Sequence, residues 1–351
     1  MNTTAISLDR VSGELPRRKR AREAGRAVKA VALAEVRASL GALPLRRDLL
    51  IEHLHALNDR FGQLRSDHLA ALAQLLKLSQ VEVYEVASFY HHFEVVREDA
   101  QGRYPAPPAL TVRVCSGLSC ELGGARTLVV RLPALLGAEV RVVEAPCVGR
   151  CEQAPVAVVH QRPVPQADVA SVTALAAADR RFDDLPAAID LSAYRAQGGY
   201  TLLRQCHEGE RDVESVIKAM EDSGLRGLGG AGFPAGRKWR IVRGEAAPRL
   251  MAVNIDEGEP GTFKDRHYLE RDPHRFLEGM LVAAWAVGID QVYVYLRDEY
   301  HGCRALLERE LAALRAAPPV AGLPAIELRR GAGAYICGEE SAMIESIEGK
   351  R

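Results

Sequence analysis

Four cysteines near the middle of the chain have the type and spacing to bind a metal centre. Four residues separate Cys115 from Cys120, three separate Cys147 from Cys151, and 26 lie between the two pairs. Four thiolates from two short loops are the ligand set of an iron–sulfur cluster. A structural zinc site is the main competing metal, although zinc ligands usually lie closer in sequence, and two disulfides would be the interpretation in a secreted protein. The spacing favours the cluster.

Each cysteine pair follows a stretch with strand character. Residues 110–114 and 140–143 are rich in valine. The first cysteine pair follows residues 110–114, and the second pair follows residues 140–143. β-Branched residues are enriched in strands. Both cysteine loops are therefore predicted to lie at the same end of one small sheet.

The composition predicts a protein of a reducing compartment. The 351 residues suffice for two domains, and contents of 48% hydrophobic and 26% charged residues are ordinary for a globular protein. The cysteine count of seven is odd and no signal peptide is recognised, so we expect a cytoplasmic location. No apolar run approaches the ~20 residues that span a bilayer, and a net charge of zero argues against nucleic acid as a partner.

The pattern along the chain predicts four segments. Residues 1–44 are predicted as a basic flexible arm, and residues 45–166 as three helices followed by a small layer with the order β, α, β, β. Residues 167–199 are predicted as a linker and residues 200–351 as a second domain. The adjacent His91 and His92 would point to different sides of a helix, which indicates surface or partner contacts rather than metal ligands.

Three unusual loops stand out in the second domain. Residues 224–239 are the densest glycine stretch, and residues 254–266 follow a buried strand with three carboxylates and an amide in six residues. Residues 331–341 follow another strand. Strand–loop–helix repeats imply a mostly parallel sheet, whose ligands bind beyond the carboxyl ends of the strands. Each loop alone could be a plain turn, but together they favour a cofactor site.

These motifs resemble a known family. Residues 224–234, 254–266 and 333–340 are similar to the NADH-binding flavoprotein (51-kDa-type) subunit of respiratory complex I. The first domain, with Ala-Ser-Phe-Tyr at 87–90 and the four cysteines, resembles the 24-kDa-type [2Fe-2S] subunit. The resemblance implies an α/β protein: a thioredoxin-like [2Fe-2S] domain preceded by a three-helix segment and followed by a Rossmann-like, mostly parallel FMN/NADH domain.

The fusion of both parts in one chain looks most like the beta subunit of a soluble NAD-dependent formate dehydrogenase. The diaphorase subunit of an NAD-reducing hydrogenase and a complex I subunit are the alternatives. The implied function is a diaphorase: hydride transfer between NAD(H) and FMN, with electrons relayed through iron–sulfur centres. The implied partners are NADH and other redox subunits of a hetero-oligomeric complex, of the formate dehydrogenase alpha and gamma type.

The family's site residues carry over by motif position. The glycine stretch and Lys238 would cradle the flavin and dinucleotide, Phe233 would stack near the adenine, and Glu257 and Glu259 would be catalytic. The [2Fe-2S] ligands would be the four cysteines. The implied cofactor-binding residues are Gly227, Gly229, Gly230, Phe233, Lys238, Asn254, Asp256, Glu257, Glu259, Tyr335, Gly338, Glu339 and Glu340.

The sequence departs from the family pattern at three points. Leu228 stands where many relatives have arginine, and the gap between the cysteine pairs is shorter than in the complex I subunit. Relatives also continue past Arg351 into a [4Fe-4S] domain, whose Cys-x2-Cys-x2-Cys ligands are absent here. The chain is therefore expected to be C-terminally truncated. A truncated, non-catalytic redox or assembly module is the alternative to an active diaphorase.

Overall fold

The computed structural model describes residues 25–178 and 181–351. The described chain begins with a helical segment whose apolar faces form one core. Ser79 opens the fourth helix with the predicted capping box, accepting from the amide of Glu82 while the Glu82 carboxylate accepts from the amide of Ser79. The elements are α1 (Ala30–Leu40), α2 (Leu50–Phe61), β1 (Leu64–Arg65), α3 (Ser66–Leu76), α4 (Gln80–Phe89) and β2 (Val95–Val96).

The first helix corrects the prediction of a flexible arm that extends to residue 44. Ala32, Val36 and Leu40 recur every four residues and are buried in the helical core. This spacing places them on one face of a helix, so α1 is held by apolar burial. The helical segment therefore contains four α-helices where three were predicted. The arginine-rich cluster at residues 17–20 lies outside the described residues.

The cysteines belong to a mixed four-stranded sheet with the order β4-β3-β5-β6. Strands β3 and β4 are parallel, whereas β3 pairs with β5, and β5 with β6, in antiparallel fashion. Helix α6 packs on this sheet through Leu128 and Leu132 and accommodates Pro133. The elements are β3 (Leu110–Cys115), α5 (Leu118–Leu122), α6 (Ala125–Leu136), β4 (Val140–Ala145), β5 (Ala157–Val159), β6 (Arg162–Val164) and α7 (Val169–Ala177).

Two helices lie within the predicted linker, which corrects its assignment to residues 167–199. Helix α7 buries Val172 in the core of the mixed sheet. Helix α8 (Leu191–Ala196) buries Leu191 and Tyr194 in the core of the second domain. Both ends of the predicted linker thus belong to the domains they adjoin.

The second domain is built on a parallel sheet with the order β7-β8-β9. These strands match the predicted ones, and the mixed α/β architecture confirms the predicted fold class. The elements after α8 are α9 (Thr201–His207), α10 (Val213–Asp222), α11 (Ala235–Arg243), β7 (Leu250–Ile255), α12 (Lys264–Leu269), α13 (Pro273–Val287), β8 (Gln291–Leu296), α14 (His301–Ala316), β9 (Ala325–Arg330) and α15 (Glu340–Ile347). In the described part of the chain, none of the helices combines the length and apolarity that crossing a bilayer requires.

The helical segment is packed on the second domain, with which it shares a core. Tyr295, Ala332 and Ile347 of the second domain belong to the same buried cluster as α1–α4. His92 lies at the interface between the helical segment and the second domain. Its side chain is 9% exposed, and its Nδ1 is 2.9 Å from the Asp298 carboxylate. The prediction of a surface role is therefore wrong for His92, because a partner distant in sequence covers it.

Candidate functional site

The two cysteine loops leave the sheet side by side. Cys115 ends β3 and pairs in register with Ala145, which ends the neighbouring parallel strand β4. The first cysteine loop (115–120) and the second cysteine loop (147–151) therefore start from the same sheet edge, as the sequence predicts. This pairing brings the two cysteine loops, which are separated by 26 residues in sequence, to one edge of the sheet.

The four thiols form a continuous set of contacts. The Sγ atoms of Cys147 and Cys151 are 3.4 Å apart, and the Cys115 thiol interacts with those of Cys120 and Cys147 closely enough to shift its pKa. Three of the four thiols are buried and that of Cys151 is partly exposed. The hydrogen bond with Cys115, followed by burial, raises the pKa of the Cys147 thiol. This set of soft ligands suits an iron–sulfur centre.

Backbone amides surround the sulfur atoms. Gly149 N–H donates to Cys147 Sγ at 3.4 Å, and Gly261 N–H donates to Cys151 Sγ at 3.2 Å. Hydrogen bonds to the sulfurs stabilise thiolates and set the reduction potential of a cluster. The residues present therefore fit an iron–sulfur cluster in both ligands and surroundings.

The glycine loop (224–234) is closed by its own hydrogen bonds, and part of its backbone faces open space. Two hydrogen bonds close the loop on itself: Gly227 N–H donates to Phe233 O at 3.0 Å, and Arg226 Nη1 donates to Gly232 O at 3.0 Å. A Cβ atom added at Gly229 or Gly230 would meet no protein atom within 4 Å. Helix α11 begins directly after the loop, so its positive end faces the same region. The loop can admit a phosphate or ring close to its backbone.

The acidic loop (254–266) is joined to the closing loop (331–341). The Asn254 side chain donates to Gly338 O at 2.8 Å and accepts from Asp256 N–H at 3.0 Å. Tyr335 Oη of the closing loop also donates to the Glu259 carboxylate of the acidic loop. The predicted residues of these two loops are therefore brought together at the carboxyl ends of β7 and β9.

Not every predicted carboxylate faces open space. Glu257 is buried, and its carboxylate accepts from Asp265 N–H at 3.0 Å and from Tyr300 Oη at 2.9 Å. Glu339 caps α15 by accepting from the amides of Ser341 and Ala342, both at 3.0 Å. Glu340 follows as an exposed residue of the first helical turn, and Phe233 and Lys238 are exposed near the glycine loop.

Burial raises the pKa of Asp256 to about 7, against the attraction of Arg297. Its pKa in the unfolded chain is near ~3.9. Because the folded state binds the proton more tightly, the wild type should lose stability as pH rises from about 4 to about 7. Asp256→Asn removes this loss of stability. The thermal midpoint of the variant minus that of the wild type should therefore increase from pH 5 to pH 8. Parallel midpoint curves for the two proteins would contradict the assignment.

Sequence reasoning missed three residues that join the cysteine loops to the acidic loop. Arg297 Nη2 donates to Cys147 O at 2.5 Å, and its Nη1 donates to Glu257 O. Tyr300 packs against Gly149, and Arg266 Nε donates to Gly149 O at 3.1 Å. The position of Arg297, directly after buried strand β8, is the signal that could have placed it at the sheet edge.

Gly149, in the second cysteine loop, is expected to tolerate replacement poorly. Its φ is +69°, and an added Cβ would overlap the Tyr300 ring. Gly149→Ala should destabilise the protein by roughly 2 kcal/mol or more, since left-handed strain adds to overpacking. Chemical unfolding curves measure this cost. Gly124→Ala is the matched control, because its φ is +93° and no protein atom lies within 4 Å. Equal costs at both positions would contradict the packing on Tyr300.

Two known domain families match the chain. Residues 36–178 match the family described as thioredoxin-like [2Fe-2S] ferredoxin. Residues 220–351 match the family described as the Nuo51 FMN-binding domain. The first match contains all four cysteines, and the second contains the glycine, acidic and closing loops.

The relatives are subunits of redox enzymes. An NADH-quinone oxidoreductase subunit of Rhizobium meliloti is 45% identical over 176 residues, which are 48% of this chain and 42% of that protein. NAD-reducing hydrogenase HoxS subunit alpha of Cupriavidus necator is 34% identical, over 87% of this chain and 56% of that protein. A crystal structure of an NAD+-reducing [NiFe]-hydrogenase in the H2-reduced state superposes with a TM-score of 0.69 and 34% identity, covering 87% of this chain and 55% of that one.

The chain spans about half the length of these relatives. The two matched domains support FMN, NAD(H) and [2Fe-2S] as cofactors. The chain thus contains a region that matches thioredoxin-like [2Fe-2S] ferredoxin and a region that matches the Nuo51 FMN-binding domain, and it is similar to a subunit of NADH-quinone oxidoreductase and to the alpha subunit of NAD-reducing hydrogenase.

Proposed function

We propose that the chain is a diaphorase module, which transfers a hydride between NAD(H) and FMN and relays electrons through its [2Fe-2S] centre. The observation that carries this proposal is the position of the acidic loop. On one side its Asn254 contacts Gly338 of the closing loop, and on the other its Gly261 amide contacts Cys151 Sγ. One loop therefore borders both the candidate flavin site and the candidate cluster.

The residues of the three loops would bind and orient the cofactor. Bound FMN supplies the ability to accept electrons as a pair and release them singly. The open backbone at Gly229 and Gly230 and the positive end of α11 would hold phosphate. The hydrogen bond from Asn254 to Gly338 ties the end of β7 to the closing loop, against which a flat ring could lie. Hydride transfer then needs stacking geometry and exclusion of water, which these loops can provide.

The two candidate catalytic carboxylates would have different roles. Glu259 is exposed beside Tyr335, so it is the carboxylate placed to touch a bound nicotinamide. The Glu257 carboxylate is buried and already accepts hydrogen bonds from the Asp265 amide of the acidic loop and from the Tyr300 hydroxyl. We therefore assign Glu257 a positioning role: it shapes the acidic loop without touching the substrate.

The proposed partners are the other subunits of a multi-subunit oxidoreductase in the cytoplasm. Fusion of the two domains in one chain supports a formate dehydrogenase beta subunit. A hydrogenase diaphorase subunit is the second candidate, supported by the similarity to the HoxS alpha subunit over 87% of the chain. The chemistry that oxidises formate or hydrogen would belong to a partner, so identifying the subunits that co-purify with the chain separates the two candidates.

The proposed diaphorase activity can be tested on the isolated chain. Protein loaded with FMN should oxidise NADH with a dye as acceptor, whereas flavin-free protein should not. Glu259→Gln should raise the KM for NADH if its carboxylate touches the nicotinamide. A chain that binds FMN and still fails to oxidise NADH would support the alternative of a non-catalytic redox or assembly module.

A further inference from the structure

The second cysteine loop and the acidic loop make direct contact at a junction formed by residues 147–151, residues 257–266, Arg297 and Tyr300. One link reaches a candidate cluster ligand itself: Gly261 N–H donates to Cys151 Sγ at 3.2 Å. Gly261 has a φ of +94°, a left-handed conformation that suits glycine. Any displacement of this part of the acidic loop therefore changes a hydrogen bond to the cluster.

Arg297 is the central residue of the junction. Its side chain is only 4% exposed, and one guanidinium donates to the carbonyl of Cys147 and to the carbonyl of Glu257. The amide of Arg297 donates to Ile255 O at 3.2 Å, which fixes its backbone to the end of β7. A planar guanidinium with several donors can hold two carbonyls at a fixed separation. Arg297 thus couples the backbones of the two loops.

A second arginine reinforces the junction from the end of the acidic loop. Arg266 is buried, donates to Gly149 O at 3.1 Å and forms an ion pair with Glu152. Tyr300 contributes to both sides, because its hydroxyl donates to the Glu257 carboxylate at 2.9 Å while its ring packs against Gly149. The hydrogen bonds made by Arg297, Arg266 Nε and Tyr300 are buried, so the two loops cannot shift apart without breaking hydrogen bonds that water does not replace.

We propose that this junction transmits occupancy of the flavin site to the iron–sulfur cluster, with Arg297 as the positioning residue. The inference rests on the proposed function, because it requires FMN to bind against the acidic loop. Binding of FMN restricts the acidic loop, and the junction passes that restriction to the second cysteine loop. The cluster is then held more tightly and its sulfur hydrogen bonds are altered. Linkage of this kind is reciprocal, so the cluster also favours FMN binding.

The test follows the cluster itself rather than catalysis. Wild-type protein with a reconstituted cluster is mixed with a chelator, with or without saturating FMN, and cluster loss is followed at wavelengths beyond flavin absorption. FMN should slow the loss about fivefold, the lower end of the usual coupling between two sites. The EPR signal of the dithionite-reduced cluster should also change on FMN binding.

Two matched variants locate the coupling. Arg297→Lys keeps the charge but loses the planar fork that reaches both carbonyls. In this variant, the rate of cluster loss with saturating FMN should therefore nearly equal the rate without FMN. Arg329→Lys changes another buried arginine, which binds Glu52 and Ile347 O away from both loops, and should keep the wild-type ratio.

The outcomes separate this inference from the proposed function. Stoichiometric FMN binding to the wild type, without any change in cluster loss or EPR signal, would overturn the coupling and leave the diaphorase proposal standing. Retention of the full FMN effect in Arg297→Lys would remove Arg297 from the account. Failure of the wild type to bind FMN would overturn both proposals.

Discussion

Replacing Cys147 by serine should remove the iron–sulfur cluster entirely. Cys147 lies between the other ligands, in contact with Cys115 and 3.4 Å from Cys151 Sγ, and serine offers a hard oxygen where a soft thiolate is required. Anaerobic reconstitution of the wild type should give two irons and two sulfides per chain, whereas Cys147→Ser should give neither. Iron and sulfide analysis measures the result directly.

The matched control for this change is Cys206→Ser. Cys206 is also buried, but it lies in α9 of the second domain, away from the cysteine loops. Its replacement should leave the iron and sulfide content at the wild-type level. Stoichiometric zinc in the wild type, or full iron content in Cys147→Ser, would contradict the assignment of the four cysteines.

Replacing Gly229 by valine should weaken FMN binding by about tenfold or more, which corresponds to about 1.4 kcal/mol. An added side chain at this position meets no protein atom within 4 Å, so it would project into the space proposed for the ligand. The fold should be little affected, because Gly229 is not among the glycines with positive φ. FMN fluorescence titration measures the affinity, and circular dichroism monitors the helix content.

Two further glycines serve as comparisons for Gly229→Val. Gly230→Val should also block binding, with an added folding cost because its φ is +98°. Gly279→Val places the same side chain at a position of α13 with no protein atom within 4 Å, and should leave FMN affinity unchanged. Normal FMN affinity in both loop variants would show that the glycine loop is only a turn.

Local sequence patterns predicted the parts of the fold that depend on local interactions. The valine-rich stretches before each cysteine pair became β3 and β4, and their parallel pairing placed the cysteines together. The apolar stretches beginning near Leu250, Val292 and Ala325 became the parallel sheet of the second domain. Helix α1 was missed although Ala32, Val36 and Leu40 carry helical spacing, because the basic residues before it suggested an arm.

The connections between domains could not be predicted in this way. Arg297 contacts Cys147 across 150 residues of sequence, and no periodicity in either segment specifies that pairing. His92 and Asp298 likewise meet only because the helical segment and the second domain share a core. Glu257 resembled a substrate contact in the motif, yet Tyr300, far along the chain, binds its carboxylate. Long-range packing determines these contacts.

The most direct test of the account is an anaerobic NADH titration of the chain loaded with both FMN and the iron–sulfur cluster. NADH should bleach the flavin absorption at ~450 nm, and the EPR signal of a reduced [2Fe-2S] cluster should appear in the same sample. With Cys147→Ser, the flavin should still bleach while the EPR signal stays absent. A wild-type chain that binds FMN but shows neither change with NADH would contradict the account.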